Sequence, residues 1–123
     1  MLDSSKLMGF VATTNRERAK TFYREVLGLK LVSEDPFAIV FDSNGTLIRV
    51  VGVEKIALAP YTVLGWQVED IQNIVQGLTN KGVEFERYDF LEQDALGIWS
   101  APGGAQVAWF KDPDGNLLSV SQH

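Results

Sequence analysis

The sequence predicts an α+β fold made of two βαβββ modules that follow one another along 123 residues. Three observations predict it. Each half shows a strand pattern, then one amphipathic helix, then three further strand patterns. Segments 45–50 and 115–120 match by residue type, and their first residues lie 70 positions apart. Finally, 46% of the residues are hydrophobic and 11% are aromatic, which suffices for a packed interior.

In the first module, the apolar run from Leu7 to Thr13 predicts a buried strand. A helix is predicted from Arg16 to Leu27, because apolar residues recur there at the i, i+3, i+4, i+7 and i+8 spacing of an amphipathic stripe. Side chains at 13–15 can cap its first turn, and Gly28 ends it. Runs of apolar and β-branched residues predict strands at 29–33, 37–42 and 46–53.

The second module repeats this order. Its strands are predicted at 61–68, 83–88, 106–110 and 116–121. A helix is predicted between Glu69 and Gly82, where apolar residues again stand at helical spacing. Residues 89–104 form a long irregular segment. Residues 112–115 form a turn, because proline and glycine preset the backbone there and aspartate bonds to it.

The composition excludes several kinds of chemistry. Without cysteine there is no disulfide, thiolate nucleophile, iron–sulfur cluster or cysteine-based zinc site. The one histidine, His123, is the last residue, and we expect it to have no part in a metal site or a catalytic triad. A net charge of −5 disfavours nucleic acid and anionic membranes as partners. No signal-peptide pattern and no apolar run of about 20 residues is present, so the sequence favours the cytoplasm.

The chain carries three stretches in a fixed order: AKTFYREVLGL at 19–29, VED at 68–70 followed by KGVEF at 81–85, and FKDPDGN at 110–116. Together they resemble the vicinal oxygen chelate superfamily, also called the glyoxalase/bleomycin resistance/dioxygenase family. The resemblance implies a curved eight-stranded mixed sheet around a cavity, with the helices on the convex face. It also implies a single domain over residues 1–123, with modules at 1–55 and 60–123, and a homodimer.

The resemblance further implies where a divalent metal is held. Enzymes of the family take His, Glu or Gln ligands from the first and last strands of each module, and the matching residues here are Met8, Arg49, Val63 and Ser119. Methionine is a soft ligand, arginine stays charged, valine has no donor atom and a neutral serine hydroxyl is weak. We therefore predict no metal and no cofactor, which removes the family's metal-dependent activities as direct inferences.

Strand alternation places Phe10 on the cavity side with Met8 and Arg49. Arg49 stands in mid-strand between apolar neighbours and needs an anionic partner, because an unpaired buried charge is costly. That partner can be a carboxylate or phosphate of a ligand, which suits the guanidinium fork. Two other interpretations stay open, namely an internal salt bridge and a side chain that reaches water at the strand end.

Two tryptophans are candidates for a wall on which a planar ligand stacks. Trp109 is expected to face the cavity because its neighbour Phe110 packs under a helix, and Trp99 lies in the long irregular segment. Irregular segments of that length tend to be functional. The alternative is that both rings merely fill the concave face or a dimer contact. Trp66 is expected in the core.

The favoured function is that of a metal-free member of the family. Such a protein binds a small organic molecule in an aromatic-lined cavity without turning it over, as antibiotic-sequestering proteins of the bleomycin resistance type do. The predicted ligand-binding residues are Met8, Phe10, Arg49, Val63, Trp99, Trp109 and Ser119.

Two other classes of function stay open. The chain can be a metal-independent lyase or isomerase of the same superfamily, or a metalloenzyme with relocated ligands. Its carboxylates form no recognisable dyad in sequence, so no catalytic residue is assigned. It can also be an interaction or regulatory module with a vestigial cavity. The identity and the charge of the ligand are left open.

Overall fold

A computed structural model describes all 123 residues and divides them into two compact units, residues 1–58 and 59–123. The first unit contains β1 (Met8–Thr13), α1 (Arg16–Thr21), β2 (Lys30–Glu34), β3 (Ala38–Ser43) and β4 (Thr46–Gly52). The second unit contains β5 (Leu64–Gln67), α2 (Ile71–Asn80), β6 (Trp99–Ser100), β7 (Gln106–Lys111) and β8 (Leu117–Gln122). The predicted α+β class and the two βαβββ modules are confirmed.

The eight strands form two four-stranded mixed sheets, with the orders β1-β4-β3-β2 and β5-β8-β7-β6. In each sheet the first strand of the unit pairs in parallel with the last one, and the other pairs are antiparallel. The two sheets therefore repeat one topology, as the match between segments 45–50 and 115–120 predicts. No helix has the length and hydrophobicity needed to cross a bilayer.

One face of each sheet is buried beneath the helix of its own unit. In the first unit, Val11, Ile48 and Val50 alternate toward this face and are at most 5% exposed. In the second unit, Leu118 and Val120 do the same. The helices contribute their apolar stripes, with the buried residues Ala19, Tyr23, Ile71 and Val75.

Both helices begin at a side-chain cap, and the first cap lies within the predicted residues 13–15. The Asn15 side chain accepts a hydrogen bond from the backbone N–H of Arg18, and the Asp70 side chain accepts one from Asn73. The predicted single helix from Arg16 to Leu27 is wrong in its second part, because Phe22–Val26 is a π-helix. Hydrophobic spacing over five residues does not distinguish an α turn from the slightly wider π turn.

The predicted strand at 83–88 is also wrong. Its only ladder contacts are one bridge between Phe85 and Phe110 and a 2.8 Å hydrogen bond from the Glu86 amide to the Trp109 carbonyl. The Gln93 side chain takes the neighbouring backbone groups, the carbonyl of Glu86 and the amide of Tyr88. The strand that pairs with the edge of β7 away from β8 is β6, which lies inside the segment predicted to be irregular.

Two turns, one before β4 and one before β8, set the pairing register of these strands, and they differ in the number of hydrogen bonds that stabilise them. Asn44 and Gly45, with φ of 49° and 92°, form a two-residue hairpin turn, and the exposed Asp42 carboxylate accepts from the Gly45 amide. In the second unit Asp112 is 5% exposed, and its carboxylate accepts from the amides of Asp114 and Asn116 and from the Asn116 side chain.

We expect Asp112→Ala to lower the free energy of unfolding by about 3 kcal/mol, because it leaves buried donors without an acceptor. The matched change Asp42→Ala removes one exposed hydrogen bond and should cost about 0.5–1 kcal/mol. Urea denaturation followed by circular dichroism measures both. Equal losses for the two variants would contradict a buried structural role for Asp112.

Candidate functional site

The sheet face of the second unit that points away from α2 carries a row of large aromatic side chains. Cross-strand pairing aligns Trp99 with Val107 and aligns Trp109 with Ser119, so both tryptophans lie on the same face. The face opposite to it holds Phe110, which is fully buried. This is the placement that alternation predicts for Trp109.

Four rings form a continuous cluster, here called the aromatic row: Trp99, Trp109, Tyr88 and Phe90. The Trp99 and Trp109 ring centroids lie 6.0 Å apart with an interplanar angle of 32°. Tyr88 meets Trp109 edge-on at 5.5 Å and meets Phe90 at 5.5 Å. Phe90 is 81% exposed, whereas the other three rings are partly buried. The row thus offers accessible ring surface to a ligand.

Ser119 and Gly65 lie beside Trp109 on the same face. They are directly paired across β5 and β8, and a Cβ built on Gly65 lies 2.9 Å from the Ser119 Oγ. Ser119 is only 9% exposed. Its hydroxyl is therefore covered, and a larger residue at position 65 would displace it. Val63 precedes β5, and its amide donates to the Leu117 carbonyl at 2.9 Å.

The loop between residues 86 and 98 is held by polar side chains rather than by strand pairing. Gln93 accepts from the Tyr88 amide at 2.8 Å and donates to the carbonyls of Glu86 and Gly97, each at 2.9 Å. Arg87 donates to the carbonyls of Asp94 and Ala95. These contacts fix the loop that supplies two rings of the aromatic row.

The Asp94 carboxylate and Gly97 complete this loop. Asp94 accepts from the amides of Leu96 and Ile98, each at 2.9 Å. Gly97 has a φ of 97°, and a Cβ there would lie 3.0 Å from the Phe85 Cβ. Both the backbone conformation and the close approach therefore require glycine.

A cavity of about 580 Å³ lies between this loop and β6. Residues 90–94 and 98–100 line it, so its wall combines Phe90, Leu91 and Trp99 with the carboxylates of Glu92 and Asp94. This volume falls within the range of small-molecule sites, which runs from about 300 to 1,000 Å³. One edge of the aromatic row thus borders a cavity of ligand size.

Tyr88 is the one member of the aromatic row that can ionise. Burial, reinforced by the negative charge of Glu86, raises the pKa of the Tyr88 hydroxyl above its ordinary value, while Lys111 acts in the opposite direction. Glu86 and Lys111 form an ion pair at 3.1 Å. At neutral pH the Tyr88 hydroxyl therefore stays protonated and can donate a hydrogen bond.

In the first unit, the face opposite α1 carries Met8, Phe10 and Arg49. Phe10 and Val40 pair with Arg49 from its two sides. Phe10 is 59% exposed and Met8 is 39% exposed, whereas Arg49 is partly buried. No carboxylate lies within ion-pair distance of Arg49, so the internal salt bridge considered in the sequence analysis is not formed.

The predicted site residues therefore fall into two groups. Trp99, Trp109 and Ser119 share one sheet face in the second unit, and Val63 precedes the strand beside them. Met8, Phe10 and Arg49 share one face in the first unit.

Sequence reasoning missed two features. Tyr88 and Phe90 extend the row of tryptophans, and only their aromatic character signalled it. Gln93 carries no sequence signal of its role in the loop.

His123 lies beside Ser121, with 3.0 Å between the His123 Nε2 and the Ser121 Oγ.

Comparison with known proteins identifies the family of the chain. The sequence profile described as Glyoxalase/Bleomycin resistance protein/Dioxygenase superfamily matches residues 8–120. The chain is 31% identical to the uncharacterized protein YraH of Bacillus subtilis (strain 168), and the alignment covers 85% of this chain and 87% of that protein.

Solved structures share the fold. One is TnmS3, an antibiotic binding protein from Streptomyces sp. CB03234, with a TM-score of 0.74, 22% identity, and coverage of 99% of this chain and 98% of that one. Another is lactoylglutathione lyase from Agrobacterium tumefaciens, with a TM-score of 0.75, 17% identity, and coverage of 97% and 93%. At such identities the likeness shows the fold.

We expect Gln93→Ala to speed hydrogen exchange at the Tyr88 amide about tenfold, because that amide loses its acceptor and the loop loses three hydrogen bonds. Amide exchange followed by NMR measures this. The control Gln76→Ala removes an exposed bond to Asn80 within α2 and should leave Tyr88 unchanged. Unaltered exchange in Gln93→Ala would show that side chain to be dispensable.

Proposed function

The chain belongs to the Glyoxalase/Bleomycin resistance protein/Dioxygenase superfamily, and from that premise we propose that it binds a small, planar organic molecule on the aromatic row without transforming it. The observation that carries the proposal is the paired tryptophans, Trp99 and Trp109, with centroids 6.0 Å apart beside a cavity of about 580 Å³.

The aromatic row suits flat, apolar ligands. Aromatic rings stack on one another in offset or edge-on geometry, and each such contact adds to the free energy gained from burying apolar surface. Trp99 and Trp109 are partly exposed although they belong to a chain with a complete core on the other sheet face. A contiguous patch of partly exposed rings, unlike a single surface ring, is typical of a binding surface, and a ligand can cover it.

The loop of the second unit supports binding because it is rigid before the ligand arrives. Gln93, Arg87 and Asp94 tie its backbone at seven hydrogen bonds. A site that is already ordered loses little conformational entropy when it is occupied. The Tyr88 hydroxyl and the Glu92 carboxylate supply polar groups at its edge, which can orient a ligand.

We propose that this binding needs no metal. Metal ligands of the family come from the first and last strands of each module, and the residues there are Met8, Arg49, Val63 and Ser119. Their chemistry does not fit a divalent ion, since the set offers one thioether, one cation, one aliphatic side chain and one covered hydroxyl. No group of three His, Asp or Glu side chains comes together elsewhere as metal ligands would.

The structural likeness to TnmS3 supports the class of ligand. That protein is an antibiotic binding protein, and its fold matches this chain over nearly its full length. We therefore propose a sequestering role, in which the bound molecule is held rather than modified.

The proposal is tested with a panel of naphthalene, quinoline, acridine and anthraquinone compounds, titrated calorimetrically and by tryptophan fluorescence. We expect at least one compound to bind and expect Trp99→Leu and Trp109→Leu to weaken it about tenfold, through loss of stacking area. The compound should be recovered unchanged by NMR.

The matched control is Trp66→Phe. Trp66 pairs with the buried Val120, so its side chain lies on the helix-facing side of the same sheet. The affinity of Trp66→Phe for the bound compound should stay within about twofold of that of the parent protein. Equal weakening in all three variants would point to a general loss of structure. Binding by none of the panel would overturn the proposal, and protein-dependent conversion of a bound compound would replace it with the enzyme alternative.

A further inference from the structure

We propose that Arg49 makes the first unit a binding surface for the oxyanion of a small organic acid, whose apolar body lies on Phe10 and Met8. The observation is that Arg49 is a partly buried residue in mid-sheet whose side chain has no hydrogen bond and no ion pair within the chain. The inference goes beyond the proposed function, because it assigns the ligand a charge and uses residues outside the aromatic row.

The position of Arg49 is costly for a charge. The strand β4 is interior to its sheet, and Arg49 stands between Phe10 on β1 and Val40 on β3. On its own strand the same face carries Leu47 and Val51. An apolar surface of this kind favours an aliphatic residue, and a cation there loses part of its hydration.

Asp35 and Arg49 interact through their opposite charges but form no ion pair. Arg49 is one of the charges that lower the pKa of Asp35, but the larger causes are hydrogen bonds from the backbone amides of Phe37 and Ala38. Those two bonds measure 2.7 Å and 3.0 Å and engage the Asp35 Oδ1. The Asp35 Oδ1 is thus engaged in its own turn, and the Arg49 donors have no hydrogen-bond acceptor in the chain.

Other arginines of the chain are held by structure. Arg16 donates to the Asp35 carbonyl at 2.6 Å, Arg87 donates to two loop carbonyls, and Arg24 lies 3.8 Å from Glu25. Each of them completes a local contact. Arg49 makes no such contact. This is the pattern expected of an arginine that binds a ligand rather than one that stabilises the fold.

The chemistry of the surroundings identifies the ligand class. A guanidinium presents a planar fork of donors that matches a carboxylate or a phosphate with two parallel hydrogen bonds. Phe10 is 59% exposed and Met8 is 39% exposed on the same face, so apolar surface lies directly beside the charge. A small acid with an aromatic or aliphatic body satisfies both features.

Arg49 also occupies a position that corresponds to a metal-ligand position in the family's enzymes. A divalent ion there attracts ligand oxygen atoms, and a guanidinium does the same with fixed positive charge and no metal. Arg49 cannot coordinate a divalent metal ion, but its guanidinium can bind the ligand oxygen atoms that such an ion would attract.

The test compares 2-naphthoate with its neutral counterpart 2-naphthamide by calorimetric titration of the parent protein, Arg49→Met and Arg24→Met. We expect the parent protein to bind 2-naphthoate about tenfold more tightly than 2-naphthamide, because charge-assisted hydrogen bonds add to the apolar contact. Arg49→Met should abolish that preference, and Arg24→Met should keep it. Added salt should weaken 2-naphthoate alone.

A second measurement separates a ligand role from a structural one. Because Arg49 has no partner in the chain, Arg49→Met should melt at the same temperature as the parent protein or higher. A clearly lower melting temperature would overturn the proposal, as would equal binding of both compounds or an unchanged preference in Arg49→Met. If the parent protein binds both compounds equally and Trp109→Leu weakens that binding, the anion site alone is overturned and the proposed function stands.

If neither compound binds the parent protein, the anion site is overturned, and the aromatic row is judged by its own panel.

Discussion

The alternation of β4 and β8 is the constraint on which the rest of the structure depends. In both strands the residues at one face are sealed beneath a helix, with Ile48 and Val50 in the first unit and Leu118 and Val120 in the second. Arg49 and Ser119 stand between these pairs and must therefore face the other way. A slip of one residue would place the Arg49 guanidinium in the core, so burial and register enforce each other.

This constraint explains why so much was predictable. Buried alternation, two helical stripes and two turns identify the module, and the match between segments 45–50 and 115–120 identifies its repetition. The cap of the first helix could be predicted within residues 13–15 for the same reason, since the Asn15 side chain acts on an amide only three positions away. Local rules and the global fold agree at these positions, and the α+β class followed from them.

The failures have a common physical cause. Residues 83–88 alternate as a strand does, but strand formation needs a partner, and the Gln93 side chain competes for the same backbone groups. Nothing in the sequence marks a glutamine five residues away as that competitor. The π-helix at 22–26 was not predicted for a related reason, because it differs from an α-helix only in hydrogen bonds that span five residues instead of four, as from the Leu27 amide to the Phe22 carbonyl. Short-range patterns describe preferences, whereas side-chain contacts decide between them.

The same limit applies to the candidate sites. Alternation gave the face of Trp109, but the angle of 32° between Trp99 and Trp109 and the edge-on contact of Tyr88 depend on the fixed loop. The structure was needed to show that Asp35 is engaged by its own turn and that Arg49 lacks an ion pair. A residue type suggests a role, but the contacts of its side chain in the structure determine whether that side chain is available for a ligand.

The two units show how one scaffold can carry different chemistry. Arg49 and Ser119 are equivalent by the 70-residue repeat, and each pairs with the first strand of its unit. Beside Arg49 that strand carries the exposed ring of Phe10, whereas beside Ser119 it carries Gly65, which leaves no room for a side chain. The first position thus presents a charge next to apolar surface. The second position holds the small, buried side chain of Ser119, and the accessible surface beside it belongs to the Trp109 ring. Ser119 is buried and packs against Gly65, so packing restricts that position to a small side chain. Arg49 lies on the face away from the helix and is partly buried, so the same position in the first unit accepts a long, charged side chain.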